Sequence, residues 1–133
     1  MICQLQATEK TQAILEVIDS CNIFSSLPDI ERFKRGVLRR ERAQTTGIGH
    51  GVAIAHGKIL GLNEVHIALG ISRDGLEYGS ADGMPVHLLF VIASSSSIQM
   101  EYLGALSSIL RSVRTEEMRL HLLDIYQSKS DEA

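Results

Sequence analysis

Apolar residues near both ends of the chain recur at the spacing of an α-helix. The period predicts a first helix over Lys10–Ser20. A second helix is predicted within residues 25–43, where Ser26 is expected to cap the N-terminus and Pro28 to lie in the first turn. The same period predicts the buried faces of the two helices: Ala13, Ile14, Val17 and Ile18 in the first, and Ile30, Phe33 and Val37 in the second.

Two further helices are predicted at the C-terminal end. The serine run at residues 94–97 is interpreted as the loop that leads to the N-cap of the third helix, over residues 98–113. Thr115, followed by two glutamates, is expected to cap the last helix, over residues 116–128. The apolar face of the third helix is predicted to contain Ile98, Leu103, Leu106, Ile109, Leu110 and Val113.

The middle of the chain has a different pattern, with short β-branched runs bounded by glycine. Strands are predicted near residues 52–55 and 65–71. Residues 86–94 are almost continuously apolar, which is typical of a central strand covered on both faces. Two Asp-Gly pairs within residues 73–85 predict turns. Helices, then strands, then helices indicate an α/β sandwich in which a small mixed β-sheet is flanked by α-helices.

Composition narrows the class of protein. The chain of 133 residues suits one compact domain over residues 1–133. Its net charge of −3 argues against a nucleic-acid partner, because phosphate binding normally shows as a basic excess. The longest fully apolar run, Leu88–Ala93, is too short to cross a bilayer, so direct membrane insertion is not expected. The chain has no signal-peptide pattern, and its two cysteines, Cys3 and Cys21, lack metal-ligand spacing, so a cytoplasmic location is expected.

A glycine-rich stretch, Thr45–Ile59, joins the second helix to the first long strand. Backbone N–H groups around Gly47, Gly49 and Gly51 are able to turn toward one point and form an anion-binding nest. The stretch lacks GxGxxG and the Lys-Ser/Thr ending of a P-loop. The glycines alone leave two interpretations open, tight turns and an anion site.

His56 is the candidate chemical group in this stretch. It lies at the predicted strand end, and Gly57 after it is expected to leave the approach to the imidazole open. Neutral imidazole is a nucleophile near pH 7 and can accept a phosphoryl group on one nitrogen. Arg40 offers a planar guanidinium suited to phosphate, and Thr45 and Thr46 offer hydroxyls. The alternative is a structural histidine whose hydrogen bonds are satisfied within the fold.

The segment RERAQTTGIGHGVAIAHGK, Arg40–Lys58, resembles the signature of the mannitol/fructose-type EIIA domain of the bacterial phosphoenolpyruvate:sugar phosphotransferase system. That signature has Arg-Glu, a short gap, Ser/Thr-Thr-Gly-Ile-Gly, a variable residue, Gly, an apolar triplet and Pro-His-Gly. The spacing here matches without a gap, and residues 74–94 resemble the turn and apolar strand of the family. The resemblance covers nearly the whole chain, and the family includes nitrogen-regulatory members.

The resemblance implies a reaction as well as an α/β sandwich fold. The motif histidine falls on His56, which would accept phosphate from the phosphocarrier protein HPr or a paralogue and pass it to an EIIB partner. The motif arginine falls on Arg40, where it can pair with phosphate, and the hydroxyl positions fall on Thr45 and Thr46. The loop N–H groups of Gly47–Gly51 would stabilise the transferred phosphoryl group. No cofactor is expected.

Two positions differ from the family pattern. Ala55 stands where proline usually precedes the motif histidine, and Tyr102 stands where a second histidine is often found. A tyrosine hydroxyl can donate a hydrogen bond to a phosphate oxygen but carries no positive charge. Three functions therefore stay open: a phosphoryl carrier for sugar transport, a nitrogen-regulatory protein whose phosphorylation state controls target proteins, and a homologue without phosphotransfer that acts through protein contacts.

The remaining histidines are expected to have lesser roles. His50, at the variable position of the glycine loop, and His87, in the apolar strand, are candidates for the rim of the site. His66 and His121 are expected at the solvent or on a helix face. No two histidines have the i,i+3 or i,i+4 spacing of a helical metal site, and no HExxH or Cys/His cluster occurs, so no metal is expected.

Overall fold

The computed structural model describes the backbone of residues 1–132 and the side chains of residues 1–124. Short 3₁₀ turns at Asn22–Phe24 and Ser96–Ile98 precede the second and third helices. In chain order the strands and helices are β1 (Ile2–Gln4), α1 (Lys10–Ser20), α2 (Ile30–Ala43), β2 (Gly47–Gly49), β3 (Val52–Lys58), β4 (His66–Leu76), β5 (Val86–Ser94), α3 (Gln99–Ser112) and α4 (Glu116–Glu132).

The five strands form one mixed sheet in the order β1-β4-β5-β3-β2. The pairs β1–β4 and β3–β5 are parallel, whereas β4–β5 and β2–β3 are antiparallel. Helices α1 and α2 pack on one face of the sheet, and α3 and α4 contribute apolar side chains to the other face. The predicted fold class, a small mixed sheet flanked by helices, is confirmed.

Side chains along β3 alternate between these two faces, as a pleated strand requires. Ala53 and Ala55 lie in the core formed with α1 and α2, and Val52 and Ile54 lie in the core formed with α3. This alternation assigns His56 to the α3 face. Strand β5 is buried along its length except at His87, which confirms the prediction of a central strand.

The start of α2 differs from the prediction. The helix begins at Ile30, and its N-cap is Asp29, whose Oδ1 accepts the N–H of Arg32 at 3.1 Å. Pro28 therefore precedes the helix, and Ser26 does not cap it. The reason is local, because a carboxylate directly before the first helical residue satisfies an N-terminal N–H that a serine three residues further back does not reach.

The glycine-rich segment between β4 and β5 is only partly made of turns. The predicted turn at Asp74-Gly75 is wrong, because β4 continues to Leu76, which pairs with Val86 of β5. Gly75 adopts φ +90 at the point where the β4–β5 register shifts. The Asp74-Gly75 dipeptide therefore forms an irregularity within β4 and does not end the strand. The second Asp-Gly pair does turn, with Asp82 Oδ1 accepting the N–H of Met84 at 3.1 Å.

The buried face of α3 agrees with the prediction except at two leucines. Leu103 and Leu110 are 44% and 43% exposed, so their predicted burial is wrong. Ile109 and Val113 are buried as predicted, and Tyr102 packs in the core one position before Leu103. Within the described residues, no helix is both long and apolar enough to cross a membrane.

Candidate functional site

His56 lies near the C-terminal end of β3, where that strand runs parallel to β5. Its register partner on β5 is Ile92, and the chain leaves β5 at Ser94 to enter α3. In open α/β sheets, groups at the carboxyl ends of parallel strands line the edge at which ligands bind. The imidazole is half-buried. It therefore meets both requirements of a reacting group, a fixed position and access from solvent.

Tyr102 lies beside His56 in the first part of α3. The centroids of the two rings are 5.7 Å apart, and the ring planes are inclined by 49°. Tyr102 is 8% exposed and belongs to the core between α3 and the sheet. The packing of α3 therefore fixes the phenol ring next to the imidazole.

The surroundings of His56 favour its neutral form. Burial lowers its pKa below the ordinary value of 6.5, and the positive charges of Arg40 and Lys58 lower it further. The negative charge of Glu41 acts in the opposite direction but is a smaller effect. An imidazole in this environment is unprotonated near pH 7 and keeps a lone pair available for nucleophilic attack.

Arg40, in the last turn of α2, is brought to the same end of the sheet. Its Nη1 donates a hydrogen bond to the carbonyl oxygen of Gln44 at 2.9 Å. The positive charge of Arg40 reaches His56, whose pKa it lowers. Arg40 also acts on Tyr102, whose pKa is raised by burial and lowered by the arginine charge. One guanidinium therefore influences both rings of the site.

The two predicted threonines have different environments. Thr45 is half-buried, and its Oγ1 accepts the N–H of Gly47 at 3.2 Å. The hydroxyl of Thr46 is buried and bonds to the carboxylate of Glu41 and to Tyr78 Oη, the latter at 2.8 Å. The Thr45 hydroxyl is thus bound to the start of the glycine loop, while the Thr46 hydroxyl is held in a buried network.

Glu41 is the centre of that network and was not singled out from the sequence. It is 5% exposed, accepts the backbone N–H of Thr46 at 3.0 Å and forms an ion pair with Lys10 at 3.3 Å. A signal was present, because Phe33, Val37 and Glu41 follow one another at i+4 spacing on the buried face of α2. The network ties α1, α2 and the start of β2 together directly behind Arg40.

The glycine loop lies at the start of β3, at the end of the strand opposite His56. His50 has φ 57, between Gly49 at φ +95 and Gly51 at φ +79. The N–H of His50 donates to Asp82 Oδ2 at 2.8 Å, so one amide of the loop binds a carboxylate of the chain itself. This backbone hydrogen bond is the main cause of the lowered pKa of Asp82.

The structure does not bring Gly49, His50 and Gly51 to His56. A strand rises by about 3.3 Å per residue, which puts the backbone of Gly51 roughly 16 Å from His56 along β3. Gly47 lies opposite Ala53, and Ser80 fills the space where a side chain at position 47 would lie. The loop lies at the edge of the sheet, where the backbone amide of His50 is bound by Asp82.

His87 lies with His50 and away from His56. Its Nδ1 is 2.8 Å from the carbonyl oxygen of Ser72. The two histidines share a groove of about 410 Å³ with Asp82 and Arg119. His66 is half-buried at the start of β4, where it pairs in register with Ala93 of β5. His121 is exposed on α4.

Gly57 has a packing role that the sequence did not indicate. A Cβ at this position would lie 2.8 Å from Val37 Cγ2 and 3.1 Å from Phe33 Cε1. The glycine therefore faces α2, on the side of the sheet opposite the imidazole. The prediction that it opens the approach to His56 is wrong, because neighbouring residues of a strand point to opposite faces.

The described side chains include no group of three or more His, Cys, Asp and Glu residues able to hold a metal ion. The chemistry of the site rests on the imidazole of His56, the guanidinium of Arg40 and the phenol of Tyr102. This set suits an anion that is bound transiently and transferred.

The family model described as "Phosphoenolpyruvate-dependent sugar phosphotransferase system, EIIA 2" matches residues 1–130, and the chain belongs to this family. The "PTS system fructose-specific EIIABC component" of Bacillus subtilis is 37% identical over 120 residues, covering 90% of this chain and 19% of that protein. The chain thus spans about a fifth of the length of this relative. The resemblance to the EIIA family is confirmed, and members of this family are components of a phosphoryl-transfer system.

Two solved structures share the fold. The nitrogen regulatory protein IIA-Ntr from Neisseria meningitidis has a TM-score of 0.80 and 26% identity, covering 91% of this chain and 82% of that one. The IIA subunit in a complex of mannitol enzyme IIA with phosphorylated enzyme IIB from Escherichia coli has a TM-score of 0.66 and 16% identity, covering 92% and 93%. The second likeness is one of fold alone.

Proposed function

We propose that this EIIA domain accepts a phosphoryl group on His56 from an HPr-like phosphocarrier protein and passes it to an EIIB partner. The observation that carries the proposal is the half-buried imidazole of His56 at the end of two parallel strands, with Tyr102 beside it and the charge of Arg40 acting on it. The location is the cytoplasm, and residues 1–133 act as one domain.

The transfer forms one phosphorus–nitrogen bond and breaks another. A lone pair on an imidazole nitrogen of His56 attacks the phosphorus atom of the donor phosphohistidine. The donor imidazole leaves and recovers its own lone pair. Catalysis of such a step consists of positioning and of neutralising charge on the three equatorial oxygens.

The surrounding residues have distinct roles in this proposal. Arg40 supplies a fixed positive charge, which lowers the pKa of His56 before transfer and stabilises the dianionic phosphoryl group afterwards. The hydroxyls of Tyr102 and Thr45 are available as neutral hydrogen-bond donors. The glycine-loop amides and the Thr46 hydroxyl support the site indirectly, through β2 and the Glu41 network.

A regulatory function is the second candidate, and the likeness to the Neisseria IIA-Ntr protein favours it. The chemistry at His56 is the same in both candidates. In sugar transport, an EIIB domain receives the phosphate. In regulation, a target protein binds one phosphorylation state of the chain. A homologue without phosphotransfer is the third function, and the same experiment distinguishes it.

The test uses phosphoenolpyruvate, enzyme I and HPr with the purified chain, read by intact mass. We expect the wild type to gain one acid-labile phosphoryl group, His56→Asn to gain none and the matched control His87→Asn to behave as the wild type. Failure of the wild type to gain the group with several cognate carriers overturns both phosphotransfer functions and leaves the protein-contact function. Capture by an EIIB domain then indicates transport, and state-dependent capture of another target indicates regulation.

A further inference from the structure

The two cysteines of the chain, far apart in sequence, meet in the fold. Cys3 lies on β1 and Cys21 forms the C-cap of α1. Their sulfur atoms are 3.4 Å apart, with the thiol of Cys21 directed at Cys3 Sγ, and both are free thiols. A disulfide needs sulfur atoms about 2.05 Å apart, so a movement of about 1.4 Å joins them.

The backbone on both sides of this pair is held by ordered hydrogen bonds. Cys3 pairs with Gly70 in the parallel β1–β4 ladder. The N–H of Cys21 donates to Val17 O at 3.0 Å, and its carbonyl oxygen accepts the N–H of Phe24 at 3.1 Å. The proximity of the thiols is thus a consequence of the docking of α1 on the sheet, and rotation of the two side chains is the expected way to close the remaining gap.

We propose that Cys3 and Cys21 form a reversible intramolecular disulfide, a covalent modification site that ties the edge strand β1 to the end of α1. The oxidant is a hydroperoxide. Cys3 reacts first, because it is half-buried whereas Cys21 is 1% exposed.

The reaction balances in two steps. The Cys3 thiolate attacks the outer oxygen of the hydroperoxide, the O–O bond breaks, the alcohol or water leaves and Cys3 becomes a sulfenic acid. The Cys21 sulfur then attacks the Cys3 sulfur, the S–O bond breaks and water leaves with the Cys21 proton. Two thiols are oxidised, one hydroperoxide is reduced, and a dithiol reductant reverses the change.

The environment makes this dithiol slow to react at neutral pH. Burial is the main cause that raises the pKa of the Cys3 thiol to about 12, and the hydrogen bond with Cys21 raises it further. Only the thiolate attacks the oxidant, so the rate of oxidation rises about tenfold per pH unit below that pKa. Oxidation of the pair is therefore expected to be slow at neutral pH and faster at alkaline pH.

The disulfide acts at a distance from His56. Strands β4 and β5 separate β1 from β3 in the sheet, and neighbouring strands are about 4.8 Å apart, so β1 and β3 are separated by roughly 14 Å. The register puts Cys3 level with Ala53, three residues before His56, so the two sites are farther apart than the strands. The cross-link closes the loop from Cys3 to Cys21, which contains α1. Closing a loop of this length is expected to raise the melting temperature by roughly 5–10 °C.

The experiment uses the full chain, treated with hydrogen peroxide at pH 7 and pH 9, with Cys3→Ala as the matched control. We expect the wild type to lose two hydrogen atoms by intact mass, to yield a Cys3–Cys21 cross-linked peptide after proteolysis, to react faster at pH 9 and to melt at a higher temperature when oxidised. Cys3→Ala should form no intramolecular bond. Intermolecular dimers, overoxidation to sulfinic acid without a cross-link, or a lower melting temperature of the oxidised wild type would each overturn the proposal. Phosphorylation of His56 is not part of the readout.

Discussion

The imidazole of His56 and the phenol ring of Tyr102 face each other across the end of the sheet, with their centroids 5.7 Å apart. Tyr102 is held in the core by α3, so the geometry belongs to the fold and not to a mobile loop. Tyr102 therefore places a neutral hydrogen-bond donor beside His56. A second histidine at the same position would be able to carry a positive charge.

Removal of the Tyr102 hydroxyl tests its role. We expect Tyr102→Phe to slow phosphoryl transfer from HPr by roughly three- to tenfold, since one hydrogen bond contributes about 0.5–1.5 kcal/mol. Tyr102→His, which retains a donor and can become charged, should transfer faster than Tyr102→Phe. Rapid-quench measurement of the transfer rate distinguishes them. Equal rates for Tyr102→Phe and the wild type would remove Tyr102 from the site.

The pH dependence of the site follows from the lowered pKa of His56. The neutral imidazole is the nucleophile, so acceptance of phosphate should be lost only as the pH falls below the ordinary value of 6.5. At pH values between the lowered pKa of folded His56 and 6.5, the unfolded chain binds a proton at His56 that the folded chain does not. The free energy of unfolding should therefore decrease as the pH falls through this range. Arg40→Gln should move the pKa upward. An NMR titration of His56 with a midpoint above 6.5 in the wild type would contradict the account.

Glu41 is expected to contribute to stability through its buried network. Replacement by glutamine weakens the ion pair with Lys10 and the hydrogen bonds with Thr46, and we expect a loss of about 2–3 kcal/mol in the free energy of unfolding. The matched control is Glu31→Gln, since that carboxylate is 67% exposed and its pairing with Lys34 should contribute under about 1 kcal/mol. Urea unfolding of both variants checks the difference, and equal effects would show that the network is not stabilising.

Two glycines near α2 should respond to alanine with opposite signs. Gly57→Ala places a Cβ against Val37 and Phe33 and should cost about 1–3 kcal/mol. Gly36→Ala, within α2, has no neighbour within 4 Å of the new Cβ and should stabilise the protein by about 0.5–1 kcal/mol. Thermal unfolding measures both. If Gly57→Ala were as stable as the wild type, the tight packing of Val37 and Phe33 against position 57 would be contradicted.

Much of the fold was predictable from local patterns. Helix α1 and strand β5 carry clear apolar periods, and the structure has them at the predicted positions. Strands β1 and β2 were missed because each has only three residues, and β2 is the glycine-containing segment Gly47–Gly49. Such strands exist through pairing with β4 and β3, and pairing is a property of the whole sheet.

The site was predictable where its residues are close in sequence or lie on one element. Arg40 and His56 are brought together by the α2–β2–β3 connection, which the motif spans. The His50–Asp82 hydrogen bond and the Glu41–Tyr78 contact join residues more than thirty positions apart. Local periodicity carries no information about such contacts, so the roles of Asp82 and Glu41 were not predicted.

The identity of the phosphorylated residue is the central claim, and NMR of the chain with ¹⁵N-labelled histidine tests it most directly. After treatment with phosphoenolpyruvate, enzyme I and HPr, the ring-nitrogen signals of His56 should shift to those of a phosphohistidine. The phosphate-induced shift should vanish on mild acid treatment, and His50, His66, His87 and His121 should keep the signals of an unphosphorylated imidazole. A phosphohistidine signal assigned to any of those four, or no such signal at all, would contradict the account.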